Sequence, residues 1–336
     1  MREALFFDRL PDDVVHCRLC PRLCTIREGK KGFCRVRKNS GGTLYTENYG
    51  RVSSCALDPV EKKPLYHFYP GHYILSLGTL GCNLRCGFCQ NWQIAHRDAP
   101  TGYMAPEAAV AAALSCGDAR HPNVGIAFTY SEPLMWYEYV RDTARLGREA
   151  GLKNVLVTNG YVEAGPLQEL LPLVDAMNID VKGFTDAYYR GTCAGRLAPV
   201  LRTVELAHGH CHLELTTLLV TGLNDDPADI ERLVEWVAGI DPGIPLHFSR
   251  YFPNFEMDRP ATPVSVMKRA YDLAKARLKY VYLGNVAESG PNSTACPACG
   301  TELIRREGYR TLVTGVTDGV CTGCGRRADL AGEPRS

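Results

Sequence analysis

The chain has 336 residues, 38 Lys and Arg against 37 Asp and Glu, a net charge of +1 and 15 cysteines. So balanced a charge gives no general footprint for nucleic acid or an anionic membrane, and no apolar run reaches the ~18 residues that span a bilayer. The opening MREALFFDRLPDD carries acids where an export signal needs a basic end and an apolar core; a cytoplasmic, reducing location is expected, where fifteen cysteines are not disulfides.

Residues 1–50 are poor in hydrophobic periodicity and rich in Cys, Arg, Lys and Gly, a composition that folds around a metal more readily than around a core. Their cysteines, Cys17, Cys20, Cys24 and Cys34, form a C-x2-C-x3-C-x9-C set within CRLCPRLCTIREGKKGFCRVR. Four thiolates close a structural zinc site with a net charge of −2, which Arg18, Arg22, Lys30, Lys31 and Arg35 offset. An auxiliary [4Fe–4S] cluster takes the same ligands, and spacing does not separate the two; the basic loop favours zinc. Residues 51–71, with the polar stretch DPVEKKP, read as a connector.

Strand-like and helix-like segments then alternate to about residue 285. The apolar runs are YILSLGT, VGIAF, VLVT, MNIDV, LELTTLLV, PLHFSRYF and YVYLG. Pro106 opens an alanine-rich helix that Gly117 ends, Asp226 caps a helix starting at Pro227, and Thr262 one starting at Pro263. Six or seven such units predict right-handed βαβ connections and a parallel sheet. With no dinucleotide glycine fingerprint after the first strand, a curled, barrel-like sheet is expected rather than a doubly wound one.

The first strand leads into GCNLRCGFCQNW, where Cys82, Cys86 and Cys89 form a C-x3-C-x2-C array. Three thiolates on one tight loop hold three corners of a [4Fe–4S] cubane and leave the fourth iron open. Incidental cysteines or a three-thiolate zinc site are the plainer alternatives, though structural zinc normally has a fourth ligand in reach. Later strands end in FTYSEP, VTNG, DVKG and HFSRYF, so polar side chains gather at the end where parallel barrels carry catalytic groups. His67, His72 and His247 lack matched partners and read as structural. Cys116 reads as a packed thiol, and Cys55, Cys193 and Cys211 carry no assignment.

The final stretch holds CPACG and CTGCG, two knuckles separated by 21 residues. Cys296, Cys299, Cys321 and Cys324 thus read as a zinc ribbon, structural or partner-docking. The expected units are residues 1–50, 51–71, 72–290 and 291–336.

The array GCNLRCGFCQNW resembles the signature of the radical S-adenosylmethionine (SAM) superfamily. Together with CRLCPRLCTIREGKKGFCRVR and YGRVSSCALDPVEKKPLYHFYPG, it is similar to the AmmeMemoRadiSam-system radical SAM enzymes, related to the pyruvate formate-lyase activating enzymes. The resemblance implies an incomplete (β/α)6 TIM-like barrel. It also implies a [4Fe–4S] cluster on Cys82, Cys86 and Cys89 that cleaves SAM to a 5′-deoxyadenosyl radical, which abstracts hydrogen from an unknown protein or small molecule. Activating enzymes carry GGEP after their second strand; here the aligned stretch is Tyr130, Ser131, Glu132 and Pro133, which keeps the acid and lacks both glycines. Ser131, Glu132, Asn159, Asp180 and Lys182 fall at the family's SAM-contacting positions. Asn159 and Asp180 suit ribose hydroxyls, Lys182 suits the carboxylate, and Arg250 is a weaker substrate-carboxylate candidate beside Phe252. The bland readings are a first-turn acid at Glu132, a simple turn at Asn159 and a solvated strand end at Asp180. A low-potential electron donor is implied, with Memo-like and AMMECR-like proteins as associates. Glycyl-radical activation is one alternative reaction, and a non-catalytic iron–sulfur and zinc docking protein is the other class.

Overall fold

Each of the seven apolar runs is a strand, and consecutive ones pair side by side in parallel. The computed structural model describes residues 1–286 and 292–336; the boundary expected at 290/291 lies outside the described residues. A strand from the expected connector, β1 (Ser54–Pro59), precedes them and lies antiparallel on β2 (Tyr73–Gly78). Then follow β3 (Asn123–Phe128), β4 (Lys153–Thr158), β5 (Ala176–Asp180), β6 (His212–Leu219), β7 (Leu246–Arg250) and β8 (Val281–Gly284). Spatial order equals chain order, and β1 and β8 do not pair, so the curl stays open. Among the described residues the seven parallel strands agree with the six or seven units read from the sequence, and with the antiparallel edge they exceed the six of the barrel that the resemblance implies. Within β3, Ile126, Ala127 and Phe128 are all buried. Such runs without alternation belong to a parallel sheet covered on both faces.

Helices Pro106–Ser115, Tyr137–Glu149, Leu197–Ala207, Pro227–Ile240 and Val264–Lys275 are the longer crossovers. Asp226 caps as expected, its carboxylate accepting from Ala228 N at 2.8 Å. Thr262 does not cap: its hydroxyl donates to Leu219 O at 2.5 Å, and the helix starts at Val264. No helix among the described residues is long and apolar enough to cross a membrane.

The connector forms part of the interior. Asn178 on β5 donates to Pro64 O at 2.8 Å, and Glu214 on β6 accepts from Tyr66 N at 3.0 Å and His67 N at 2.7 Å. His212 Nε2 and His247 Nε2 complete the Glu214 shell at 2.9 and 2.7 Å. Burial alone would raise the Glu214 pKa, but the two histidines hold it well below the usual carboxylate range. His67 and His247 are therefore members of one buried polar cluster near the strand starts.

The N-terminal segment folds into two small antiparallel sheets. Its Val15, Leu19, Ile26 and Leu44 join the same buried core as Leu134, Met135 and Trp136. A buried ion pair seals that contact: Arg37 Nη2 meets Glu138 Oε1 on helix Tyr137–Glu149 at 2.5 Å. Leu5 N donates to the same oxygen at 2.8 Å, and Arg37 Nη1 to Leu5 O at 2.8 Å. At the other end of the chain, Arg306 sits buried on the hairpin Glu302–Glu307/Arg310–Val313. It donates to Tyr66 O at 2.5 Å and Thr294 Oγ1 at 2.8 Å.

Removing one member of a buried ion pair strands the other, at about 3–5 kcal/mol. Glu138→Ala is expected to lower unfolding stability by that amount in denaturant titrations, while the double Arg37→Met/Glu138→Leu loses far less. A single variant as stable as the wild type would show that the pair does not anchor the segment.

Candidate active site at the strand ends

Past the C-terminal end of β2 the chain turns at Gly81, with φ +91°, and enters the loop of Cys82, Cys86 and Cys89. These three thiols open onto a cavity of about 590 Å³ at the ends of β3 to β7. Its wall also contains Ser131, Glu132, Asn159, Asp180 and Lys182, so the structure gathers every residue singled out for SAM contact around the cysteine loop. Arg250 is elsewhere: its Nε donates to Thr262 O at 2.7 Å, and its guanidinium lies 4.8 Å from the Phe252 ring centre.

Glu132 is buried and fully engaged. Its carboxylate accepts from Leu134 N at 3.0 Å, Thr158 Oγ1 at 2.6 Å and Asn159 N at 2.8 Å. Burial raises its pKa to about 7 against those three bonds. The turn before it needs a left-handed residue, and Tyr130 supplies it at φ +70°. Tyr130 OH is tied down by Asp58 Oδ2 at 2.5 Å, which also takes Lys63 Nζ at 2.6 Å. Tyrosine in this conformation is strained, by about 1 kcal/mol or more, and the Asp58 anchor holds it there.

Asn159 reaches back to the cysteine loop. Its Nδ2 lies 3.5 Å from Cys82 Sγ and 3.0 Å from Asn83 Oδ1, while its Oδ1 accepts from Tyr161 N at 2.8 Å. Lys182 Nζ pairs with Asp180 Oδ2 at 2.7 Å. Burial would lower the Lys182 pKa, but Asp180 and the Cys86 thiol hold it above the ordinary value. Ser131 Oγ is buried with no hydrogen-bond partner. Burial pushes the Cys89 thiol up to about 11, so a metal that takes it as thiolate displaces a proton.

The four C-terminal cysteines are already gathered. All four ligand sulfurs lie within 4.8 Å of one another, with Cys296 to Cys324 at 3.7 Å and Cys299 to Cys321 at 3.6 Å. These distances are far from the ~2.05 Å of a disulfide and suit one shared ion.

Residues 77–237 match the sequence profile of the radical SAM superfamily. Over 339 residues the chain is 42% identical to an uncharacterized protein of Methanocaldococcus jannaschii, covering 98% of this chain and 99% of that one. The chain carries a radical SAM superfamily domain. A radical SAM methyltransferase from Sphaerobacter thermophilus shares the fold, with a TM-score of 0.51 at 17% identity over 64% of this chain and 67% of that one. A domain of a pyruvate-formate lyase-activating enzyme from Bacteroides vulgatus ATCC 8482 superposes at 0.42 with 19% identity, over 48% and 99%.

A radical SAM superfamily domain implies a [4Fe–4S] cluster and SAM. The donor set fits them: three thiols, no other cysteine in the cavity wall among the described residues, a charged pair, and one orphaned hydroxyl. Three wall or backing residues had no sequence signal. His96 stacks on Phe255 with ring centres 5.5 Å apart, and its buried Nε2 lacks a partner. Tyr309, at the tip of the hairpin Glu302–Glu307/Arg310–Val313, lines the mouth. Cys193 is fully buried behind the loop, its carbonyl accepting from Arg85 N at 2.9 Å.

A Glu132→Ala variant leaves the Leu134 and Asn159 amides without their acceptor, at about 1–3 kcal/mol each. Amide exchange at both positions should accelerate about ten- to a hundredfold; unchanged protection would mean that the carboxylate does not hold the two loops.

Proposed function

We propose that the chain cleaves SAM reductively in the strand-end cavity and abstracts a hydrogen atom from a protein or small-molecule substrate that enters by the same mouth. The observation that carries this reading is the convergence, around one cavity, of a three-thiol loop with no fourth cysteine among the described wall residues and five polar or charged side chains from successive strand ends. Bound there, the cluster and SAM supply a low-potential electron and a 5′-deoxyadenosyl radical. The protein binds, orients and excludes water.

Cys82, Cys86 and Cys89 would hold three irons. Lys182, kept charged by Asp180, offers an ammonium to a carboxylate, and Asp180 offers its free lone pairs to ribose hydroxyls. Ser131 Oγ, buried without a partner, suits a polar group of the same ligand. Asn159 is a positioning residue on the cluster side: its amide N–H faces the Cys82 sulfur, and such bonds help set a cluster's potential. Glu132 keeps Asn159 in that place. The ribbon is assigned one zinc, since sulfurs 3.6 and 3.7 Å apart approach the ~3.8 Å edge of a tetrahedron with ~2.3 Å Zn–S bonds. The chemistry requires a low-potential one-electron donor, and the motif resemblance makes Memo-like and AMMECR-like proteins the first partners to test.

Anaerobically reconstituted protein given SAM and dithionite should release 5′-deoxyadenosine, and Cys86→Ala should release none while keeping the ribbon zinc. Cluster-loaded protein that leaves SAM intact would refute the enzyme reading. Asp180→Ala and Lys182→Ala are each expected to weaken SAM binding about ten- to a hundredfold in equilibrium titrations. Unchanged affinity would remove that pair from the cofactor site.

A further inference from the structure

The N-terminal quartet does not have the geometry of the ribbon quartet, although both are four cysteines. Among the described residues, only the ribbon set brings its sulfurs within 4.8 Å of one another. Cys17, Cys20, Cys24 and Cys34 are more widely spaced, as are the cluster-loop thiols Cys82, Cys86 and Cys89. A single ion draws its ligands to one point, whereas a cubane presents four irons at separate corners and holds its thiolates apart. One chain therefore contains both spacings, and the N-terminal set follows the cubane one.

The space between the four thiols agrees. They surround a cavity of about 10 Å³, the room open to the centre of one water-sized sphere, walled also by Leu19, Ile26 and Met135. A sphere of ~1.4 Å radius in contact with sulfur has its centre about 3 Å away, beyond the ~2.3 Å reach of a Zn–S bond. Zinc at that centre would reach its ligands only if the sulfurs moved inward. Arg22 and the buried Arg37 line the same cavity and offset the negative charge of a thiolate-bound centre.

The quartet also touches the catalytic loop at two points. Gly81, the residue before Cys82, is so close to Cys34 that a Cβ there would lie 2.7 Å from the Cys34 carbonyl oxygen. Asn83, the residue after Cys82, has its side chain beside the Cys20 thiol and accepts from Asn159 Nδ2 at 3.0 Å. The same Asn159 amide faces Cys82 Sγ. Arg22 Nε, donating to Asn83 O at 2.8 Å, braces the junction. Cys20 and Cys82 are thus joined through two buried amide side chains.

We propose that Cys17, Cys20, Cys24 and Cys34 hold a second [4Fe–4S] cluster, not zinc, and that it is the electron entry point to the catalytic cluster through Asn83 and Asn159. One electron from an external low-potential donor of the flavodoxin or ferredoxin class reduces the N-terminal cluster from the 2+ to the 1+ state. The same electron then passes to the catalytic cluster, which goes from 2+ to 1+ as the first returns to 2+, with no proton moved. The relay, though not the second site, rests on the function proposed above.

The test is metal and sulfide analysis of the full chain after anaerobic reconstitution with iron and sulfide. The Cys82→Ala/Cys86→Ala/Cys89→Ala variant should still bind about four irons and four sulfides, with one zinc, and the wild type about eight irons. An iron-free triple variant with two zincs, or with the ribbon zinc alone, overturns the proposal, whatever the wild type does with SAM. Cys17→Ala/Cys20→Ala in an otherwise intact chain gives the reciprocal count: a drop from about eight irons to about four supports the site, and an unchanged count overturns it.

Discussion

The loops after β2, β3 and β4 belong to different βα units, and one buried carboxylate fixes them against one another. Glu132 takes a hydrogen bond from its own turn at Leu134 and two from the end of β4 at Thr158 and Asn159, and its backbone N–H donates to Gly81 O at 3.4 Å beside the cysteine loop. A carboxylate removed from water at this depth persists only because every direction of approach supplies a donor. The same bonds aim Asn159 at the Cys82 sulfur. Rotation of any one loop would strand a polar group in the interior, so the thiols, the amide and the charged pair of β5 keep fixed relative positions.

The opposite end of the sheet uses the same device. Glu214 gathers two histidines and two connector amides, and His67 continues the network to Tyr282 OH at 2.6 Å and Asp329 O at 2.6 Å. An open sheet has no ladder to close it between β1 and β8. Buried polar networks at its two ends, and the connector laid along its inner side, take the place of the missing strand pairing.

Features carried by short-range pattern were legible in the sequence. Continuous apolar runs such as VGIAF and LELTTLLV need no alternation when both faces are covered, and the cysteine loop and the polar strand ends follow from position along each unit. Residues whose role depends on distant partners were not legible. Nothing around Tyr309 or His96 indicates that the tip of the C-terminal hairpin and the short helix Trp92–His96 border the cavity. Thr262 has the local look of a helix cap, yet the free carbonyl of Leu219, 43 residues away, captures its hydroxyl. Likewise the basic loop around Cys34 bears on the choice of metal through charge alone, whereas the spacing of the thiols, on which the proposed second cluster rests, exists only in three dimensions.

The stretch Phe68–Gly71 has a further consequence for how the molecule comes together. Its backbone pairs with residues near the far end of the chain: Tyr69 N donates to Ala331 O, Ala331 N to His67 O and Arg335 N to Pro70 O. Gly71 lies so close to Arg335 O that no side chain fits between them. A segment made early in synthesis is therefore completed by one made more than 250 residues later. The stretch Phe68–Gly71 cannot take up its final pairing until residues 331–335 have been made, so its ordering waits on the segment that carries the last four cysteines.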